Sequence, residues 1–278
     1  RLSFFFNSHL DFFEEIAKYR AARRIWAKRM KNTYNAKDSR SWKLRFHTQT
    51  AGCSLTAQQP ENNIARTGFQ GLAAVLGGTQ SLHTNSMDET LALPTEKAAE
   101  IALRTQQLIA FETGVANVAD PLGGSWYVES LTDQMETRAE KYFDEIENLG
   151  GVIPAIEKGY FQMEIARAAS DYQQKIDDNQ LIHVGVNAFI KQDEEIEIPL
   201  LEIGDEAENR QVNALAQLRN ERDENEVQLA LSKIQEACIN EYNIMPPIIA
   251  AAKSFVTMGE IIAAMKAEFG EWQEAAVF

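Results

Sequence analysis

An α/β fold with a parallel sheet is what the sequence predicts, and three observations predict it. A strand-like run, a polar turn and an amphipathic helix follow one another three times within the first 115 residues, and alternation of that length marks parallel βα units. The helices carry start and stop signals of their own. An apolar share of 45% in 278 residues suits one large domain or two ordinary ones, each with a real core.

The first unit runs from "RLSFFFNSH" into "LDFFEEIAKYRAARRIWAKRM". The second runs from "SWKLRFHTQTAG" into "ENNIARTGFQGLAAVLGG", and the third from "TQSLHTN" into "PTEKAAEIALRTQQLIAFETG". In the third helix Ala98, Ile101, Ala102, Thr105, Leu108 and Ile109 fall at helical spacing, with Pro94 before the start and Gly114 at the end. Strands are expected over 1–8, 43–49 and 80–84, adjacent and parallel. Three units do not close a barrel by themselves; they fit the end of an eight-unit barrel or a stretch of an open doubly wound sheet.

From about residue 116 the pattern changes. Residues 118–130 are rich in turn formers. Helices are expected over 131–151, 154–176, 208–239 and 257–272, and short strands over 181–189 and 198–203. The expected division is therefore 1–115 for the βα units and 116–278 for a mostly helical region.

A net charge of -14 argues against nucleic acid as a partner. No apolar run approaches the ~20 residues that span a bilayer, and no membrane partner is expected. Two cysteines, Cys53 and Cys238, make no disulfide framework, and a cytoplasmic setting is expected. The chain opens with Arg1 inside an apolar run, as a piece whose start lies upstream would.

Strand side chains alternate between faces. In the second strand Trp42, Leu44 and Phe46 take one face, and Lys43, Arg45, His47 and Gln49 the other. In the first, Arg1, Ser3 and Asn7 share a face broken by Phe5; in the third, Ser81, His83 and Asn85 share one. A parallel sheet flanked by helices keeps both faces from bulk water, and buried polar groups need partners. Three polar strand faces therefore suggest a barrel whose axis holds a polar ligand. The competing reading is an antiparallel sheet with its polar face in water. Sites of parallel barrels lie at the carboxyl ends of the strands, where 47–52 and 83–89 fall, and Gly52 lets a large cofactor approach the backbone. A metal site from His47, His83, Asp88 and Glu89 lacks ligand spacing. Cys53 near His47 is no evidence of a thiol nucleophile. The basic helix carrying Lys18, Arg20, Arg23, Arg24, Lys28 and Arg29 reads as a solvated face or a contact for a phosphate or an acidic partner.

"RLSFFFNSHLDFFEEIAKYRAARRIWA", "LRFHTQTAGCSLTAQQPENNIARTGFQGLAAVLGGTQSLHTNSMDETLALPTEKAAEIALRTQ" and "DPLGGSWYVE" closely resemble the large subunit of the methylmalonyl-CoA mutase family. The resemblance is densest from Arg1 to Ser125, with "HVGVN" as a later island. It implies an adenosylcobalamin-dependent (β/α)8 barrel of the TIM type, of which these would be the last three βα units, with acyl-CoA threaded along the axis and cobalamin capping one end. It implies Arg1 and Ser3 on the CoA ester, His47 and Gln49 as catalytic residues facing substrate, and Gln80 and Ser81 lining the tunnel. Gly52, Asn85, Glu89 and Ala92 would lie against the cofactor, with Glu89 near the adenosyl ribose. The implied reaction is a radical carbon-skeleton rearrangement, methylmalonyl-CoA to succinyl-CoA, with isobutyryl- and 2-hydroxyisobutyryl-CoA mutases as rivals. The family's lower axial histidine comes from a DxHxxG motif that this sequence lacks, because "LIHVGV" offers His183 without the Asp or the Gly. The chain thus resembles members whose cobalamin domain is a separate small subunit, and a hetero-oligomer is expected. It would lack the upstream half of the barrel and be inactive alone. From other classes, a non-catalytic assembly subunit and a metal-dependent barrel hydrolase are the alternatives.

Overall fold

The computed structural model describes residues 2–192 and 198–274. It divides into two compact units, one holding the chain as far as Leu201 and the other starting at Glu202.

The first unit contains the sheet. β1 (Phe4–Ser8), β2 (Phe46–Thr50) and β3 (Ser81–His83) lie in the order β1-β2-β3, both pairings parallel. α1 (Phe12–Lys28) and α2 (Asn62–Leu76) connect them, and α3 (Glu96–Glu112) follows β3. The expectation of three adjacent parallel strands is met. α1 starts where Asp11 accepts a hydrogen bond from the Glu14 N–H, and α3 where the Thr95 hydroxyl accepts from the Ala98 N–H.

The helix-facing side of the sheet alternates as the sequence predicts. Phe4, Phe6, Phe46 and Leu82 pack with Tyr19, Ala22, Trp26, Leu44 and Ala74. The same side carries buried hydroxyls. Ser8 Oγ donates to the Gln70 carbonyl at 2.8 Å and Thr48 Oγ1 to Thr79 Oγ1 at 2.9 Å, so these groups are satisfied without water. Small residues on α2 let it lie close: a Cβ on Gly71 would stand 3.1 Å from Ile109 Cδ1 and 3.6 Å from Thr84 Cγ2. Short hydroxyls beneath a helix rich in Gly and Ala occupy the space that Val and Ile fill in an ordinary parallel sheet.

The basic side of α1 meets an acidic partner in the same chain, α4 (Trp126–Asn148) together with Asp120 in the turn before it. Arg20 pairs with Asp120 at 3.0 Å and Glu129 at 2.7 Å, and Arg24 with Asp133 at 2.6 Å and Glu136 at 2.5 Å. Lys28 pairs with Glu136 and Arg29 with Glu140. Single surface pairs of this kind contribute about 0.2–1 kcal/mol and weaken with salt; here they align two helices along their length. The reading of α1 as a solvated face is thereby corrected.

Other expectations change as well. α4 begins at Trp126, inside the stretch read as a connector, because Ser125 caps it through the Val128 N–H. The helix expected over 154–176 is two, α5 (Val152–Glu157) and α6 (Tyr160–Asp177), split at Gly159 with φ 68°. Residues 181–189 form no strand but a tight turn with one bridge, Val184 to Ala188. Gly185 takes a positive φ there, and the Asn187 side chain accepts from the His183 N–H and donates to the Ile176 and Leu181 carbonyls. Residues 198–203 have no regular structure.

The second unit is helical: α7 (Asp205–Glu221), α8 (Glu224–Ile239), α9 (Met245–Lys253) and α10 (Met258–Phe269). Val227, Ala230, Ile234, Cys238, Ala251, Val256, Ile261 and Ala264 form its core. The continuous helix expected over 208–239 breaks at Arg222, whose guanidinium grips both Glu260 oxygens at 2.7 Å, and Asp223 caps α8. That bidentate pair and the Thr257 cap hold the Glu260 carboxyl well below its usual range, at about 2. α9 escapes the helical periodicity reading, although Pro246 and Pro247 in its first turn are a start signal.

Candidate functional site

The other side of the sheet carries the polar residues in register. Phe5, His47 and Ser81 form one row, and Asn7, Gln49 and His83 the next. The enclosure expected around this side is absent among the described residues: Phe5 is 56% exposed, and Asn7, Ser81 and His83 are exposed. His47 Nδ1 lies 2.7 Å from Ser81 Oγ, and its ring lies against Phe5 with centroids 5.4 Å apart. One ring nitrogen is thus engaged within the chain and Nε2 is left to the open side.

Two loops at the carboxyl ends of β2 and β3 build the rest. Asn85 is buried. Its Oδ1 accepts from Thr50 Oγ1 at 3.0 Å and from Gln49 Nε2 at 3.5 Å, and its N–H donates to Thr50 Oγ1 at 2.9 Å. Its Nδ2 has no partner among the described residues, which is costly for a buried donor and suits a ligand acceptor. A Cβ on Gly52 would stand 2.4 Å from Glu89 Oε1 and 2.8 Å from Asn85 Nδ2. The missing methyl therefore makes room for the chain's own Glu89 and Asn85, a nearer need than the approach of a cofactor.

Glu89 lies at one side of a cleft of about 520 Å³ shared with Gln49, His83, Ala92 and, from α3, Ala99, Ala102, Leu103 and Gln106. Burial pushes the Glu89 carboxyl above its ordinary pKa; His83 opposes the shift and Asp88 adds to it. Asp88 itself is structural, its Oδ2 accepting from the Thr95 N–H and hydroxyl at 2.9 and 3.1 Å and so tying the loop to the start of α3. Among the described residues no cluster of His, Cys, Asp and Glu is arranged for a metal ion.

The structure thus brings His47, Gln49, Ser81, Gly52, Asn85, Glu89 and Ala92 to one region. Ser3 is exposed just ahead of β1. Arg1 lies outside the described residues. Gln80 is engaged elsewhere, at the amino end of the strands: its Oε1 accepts from the Phe46 N–H at 2.8 Å and its Nε2 donates to the Gly78 carbonyl at 2.8 Å. Two supporting residues were not singled out from sequence. Asn63, fully buried, joins both loops by donating to the Thr56 and Met87 carbonyls while its Oδ1 accepts from the Thr56 N–H. Arg66 donates to Thr56 Oγ1, Asn63 Oδ1 and the Val184 carbonyl, fastening the 181–189 turn beside the mouth.

Parallel strands with polar side chains on one face, and a carboxylate, an amide and an imidazole around a cleft at their carboxyl ends, are the arrangement in which βα enzymes carry their sites. The methylmalonyl-CoA mutase profile matches residues 1–271, and the chain belongs to that family. It is 45% identical over its full length to the 2-hydroxyisobutanoyl-CoA mutase large subunit of Aquincola tertiaricarbonis, covering 50% of that protein. It is 42% identical to the methylmalonyl-CoA mutase of Rhizobium meliloti, with 98% of this chain and 38% of that one aligned. To the mitochondrial methylmalonyl-CoA mutase of Homo sapiens it is 41% identical, with 98% of this chain and 36% of that one aligned. The chain therefore spans about half or less of the length of these relatives, all named as mutases, which are isomerases.

Proposed function

We propose that this chain is part of an adenosylcobalamin-dependent acyl-CoA mutase and that its three βα units are the last three of a (β/α)8 barrel, residues 1–115, followed by a helical region, residues 116–278. The observation that carries the reading is the cleft: an ionisable carboxylate, a buried amide nitrogen with no partner among the described residues and a glycine without room for a methyl, next to the His47–Gln49 face.

In this reading the open polar face is the wall of the acyl-CoA tunnel. Ser81 orients His47 so that Nε2 meets the substrate, and Gln49 offers the amide that Asn85 does not fully occupy. Ser3 stands just ahead of β1, and the family resemblance assigns it, with Arg1, to the CoA ester. Glu89 and Asn85 would hold the adenosyl group, the carboxylate as acceptor for ribose hydroxyls and Nδ2 as donor; the carboxylate's charge-assisted bonds would be the stronger ones. Gly52 lets Glu89 and Asn85 take up these positions, and Ala92 would lie beside the corrin. When bound, adenosylcobalamin supplies the radical chemistry of the carbon-skeleton rearrangement, while the protein positions the reactants and excludes water.

Methylmalonyl-CoA to succinyl-CoA is the favoured reaction, supported by the family match and two of the three relatives described. A 2-hydroxyisobutyryl- or isobutyryl-CoA mutase is the second reading, supported by the Aquincola relative. The large-subunit name of that relative supports a hetero-oligomer in which a small subunit brings cobalamin and its axial histidine. Cys53 and Cys238 are both free thiols, which fits a reducing compartment such as the cytoplasm, and among the described residues no helix is long and apolar enough to cross a membrane.

Titration of cobalamin into the purified chain, with and without a small cobalamin-binding subunit, tests the assignment. The isolated chain is expected to retain negligible cobalamin. In the reconstituted enzyme Glu89→Gln is expected to weaken productive use of adenosylcobalamin more than acyl-CoA binding. Tight binding to the isolated chain would overturn the two-subunit reading, and an equal cobalamin response of wild type and Glu89→Gln would clear Glu89.

A further inference from the structure

We propose that Asn63 is a positioning residue for the cleft: its buried amide, oriented by Arg66, holds the loop that carries Gly52 and the loop that carries Asn85 and Glu89 at one fixed separation. The proposal rests on the reading of the cleft as the adenosyl site.

The amide of Asn63 is fully used. Its Oδ1 accepts from the Thr56 N–H at 3.1 Å and from Arg66 Nη1 at 2.8 Å. Its Nδ2 donates to the Thr56 carbonyl at 2.8 Å and to the Met87 carbonyl at 3.0 Å. A side-chain amide has two acceptor sites and two donors, so nothing is left over for another partner. Both backbone groups of Thr56 are held by this one side chain, and Met87 stands midway along the chain between Asn85 and Glu89.

Each loop carries that grip to the cleft through short bonds. In the first, the Ser54 N–H donates to the Ala51 carbonyl and the Leu55 N–H to the Gly52 carbonyl, both at 3.0 Å, so a tight turn joins Thr56 to Gly52. In the second, the Glu89 N–H donates to the Ser86 carbonyl at 3.3 Å and the Ala92 N–H to the Asp88 carbonyl at 3.0 Å. Gly52 meets Glu89 and Asn85 so closely that a methyl has no room. A small shift of either loop therefore changes what Glu89 and Asn85 can reach.

Arg66 decides which way the amide points. A guanidinium only donates, so it fits beside Oδ1 and not beside Nδ2, and the NH2 group is left to face Met87. Arg66 is itself anchored on Thr56 Oγ1 and, through Nη2, on the Val184 carbonyl, both at 2.8 Å. Nearby, Gln59 Nε2 donates to the Phe189 carbonyl at 3.0 Å. The turn at 181–189 lies outside the three βα units, yet it takes part in setting the geometry of a cleft that they build.

The test separates cofactor from substrate. Asn63→Asp keeps the shape of the side chain and the bonds to Oδ1, but it replaces the two donors with an acceptor that faces two carbonyls. In the enzyme reconstituted with a small cobalamin-binding subunit, the adenosylcobalamin concentration giving half-maximal rate is expected to rise about 10-fold while the acyl-CoA KM changes less than about 2-fold. Arg66→Met should move the cofactor response the same way by less, and Arg66→Lys, which still donates, should stand nearer wild type. Circular dichroism shows which variants are folded; if Asn63→Asp is not, Arg66→Met against Arg66→Lys carries the test. A wild-type adenosylcobalamin response in the folded variants, or an equal rise for acyl-CoA, would overturn the proposal. If Glu89→Gln is indifferent to cobalamin, the adenosyl reading fails, and amide hydrogen exchange of the purified chain then decides for Asn63 by itself. Faster exchange of both the 54–56 and the 87–89 amides in Asn63→Asp upholds the positioning of the two loops, and exchange unchanged from wild type overturns it.

Discussion

Replacing Tyr19 with alanine is expected to cost about 3–5 kcal/mol, a large share of the roughly 5–15 kcal/mol that holds a typical domain together. Tyr19 is fully buried at the centre of the first unit. Its ring stacks on Phe46 with centroids 5.3 Å apart and meets Phe6 edge-on at 5.9 Å. Its hydroxyl donates to the Asn7 carbonyl at 2.9 Å, and a Cβ on Gly77 would stand 2.2 Å from its Cδ2. One side chain thus ties α1 to β1, β2 and the end of α2, and no neighbour is free to refill the space. Tyr19→Phe should cost only about 1 kcal/mol, the net worth of the hydroxyl bond. Urea unfolding followed by circular dichroism separates the two, and a loss under about 1 kcal/mol for Tyr19→Ala would mean the core closes over the gap. Burial also raises the Tyr19 pKa above its ordinary value. The stability linked to that shift is complete below about pH 10, the unfolded value, and is lost as pH climbs from there through the higher folded value.

His47→Ala is expected to lower kcat/KM of the complete enzyme roughly 10- to 100-fold with the fold retained. The size follows from removing a hydrogen bond to a polar group in a closed site, about 1–3 kcal/mol. His47 is half-buried on a strand, and its ring supports no backbone contact, so stability should change little. Ser81→Ala is the informative companion. It keeps the imidazole but frees Nδ1, so the preference for which nitrogen carries the proton is lost and the effect should be smaller than that of His47→Ala. Steady-state kinetics of the reconstituted enzyme decide this; kinetics unchanged from wild type would remove His47 from the substrate site.

The βα units were legible because their signals are local. Phe46, Thr48 and Thr50 against His47 and Gln49 is an alternation that a five-residue strand cannot disguise, and Asp11 and Thr95 mark helix starts through bonds only three residues long. Alternation misled at 181–189, where Val184 and Val186 look like one strand face but Gly185 and Asn187 fold the segment back on itself. Glycine at 159 and the pull of Glu260 on Arg222 broke two helices whose periodicity runs straight through the break. At the site, strand-end residues such as His47, Gln49, Asn85 and Glu89 stand out by their chemistry. Gln80 has the same chemistry but is spent on the Phe46 N–H, and Asn63 does its work from the first turn of α2. Both facts depend on which backbone atoms of distant segments arrive nearby, and composition and spacing do not carry that information.

Gly52 has one more consequence. Its backbone is not in the left-handed region that ordinarily demands glycine, so the residue is fixed by volume, and the volume in question belongs largely to a side chain thirty-seven positions away, since 89 minus 52 is 37. Residues 52 and 89 are in that sense a single choice made twice. A methyl at 52 is tolerable only if the group at 89 is shorter or turned aside, and a shorter group at 89 leaves a gap that a methyl at 52 can fill. Free energies of substitution at the two positions will not add, and among homologous sequences the pair should drift together rather than apart.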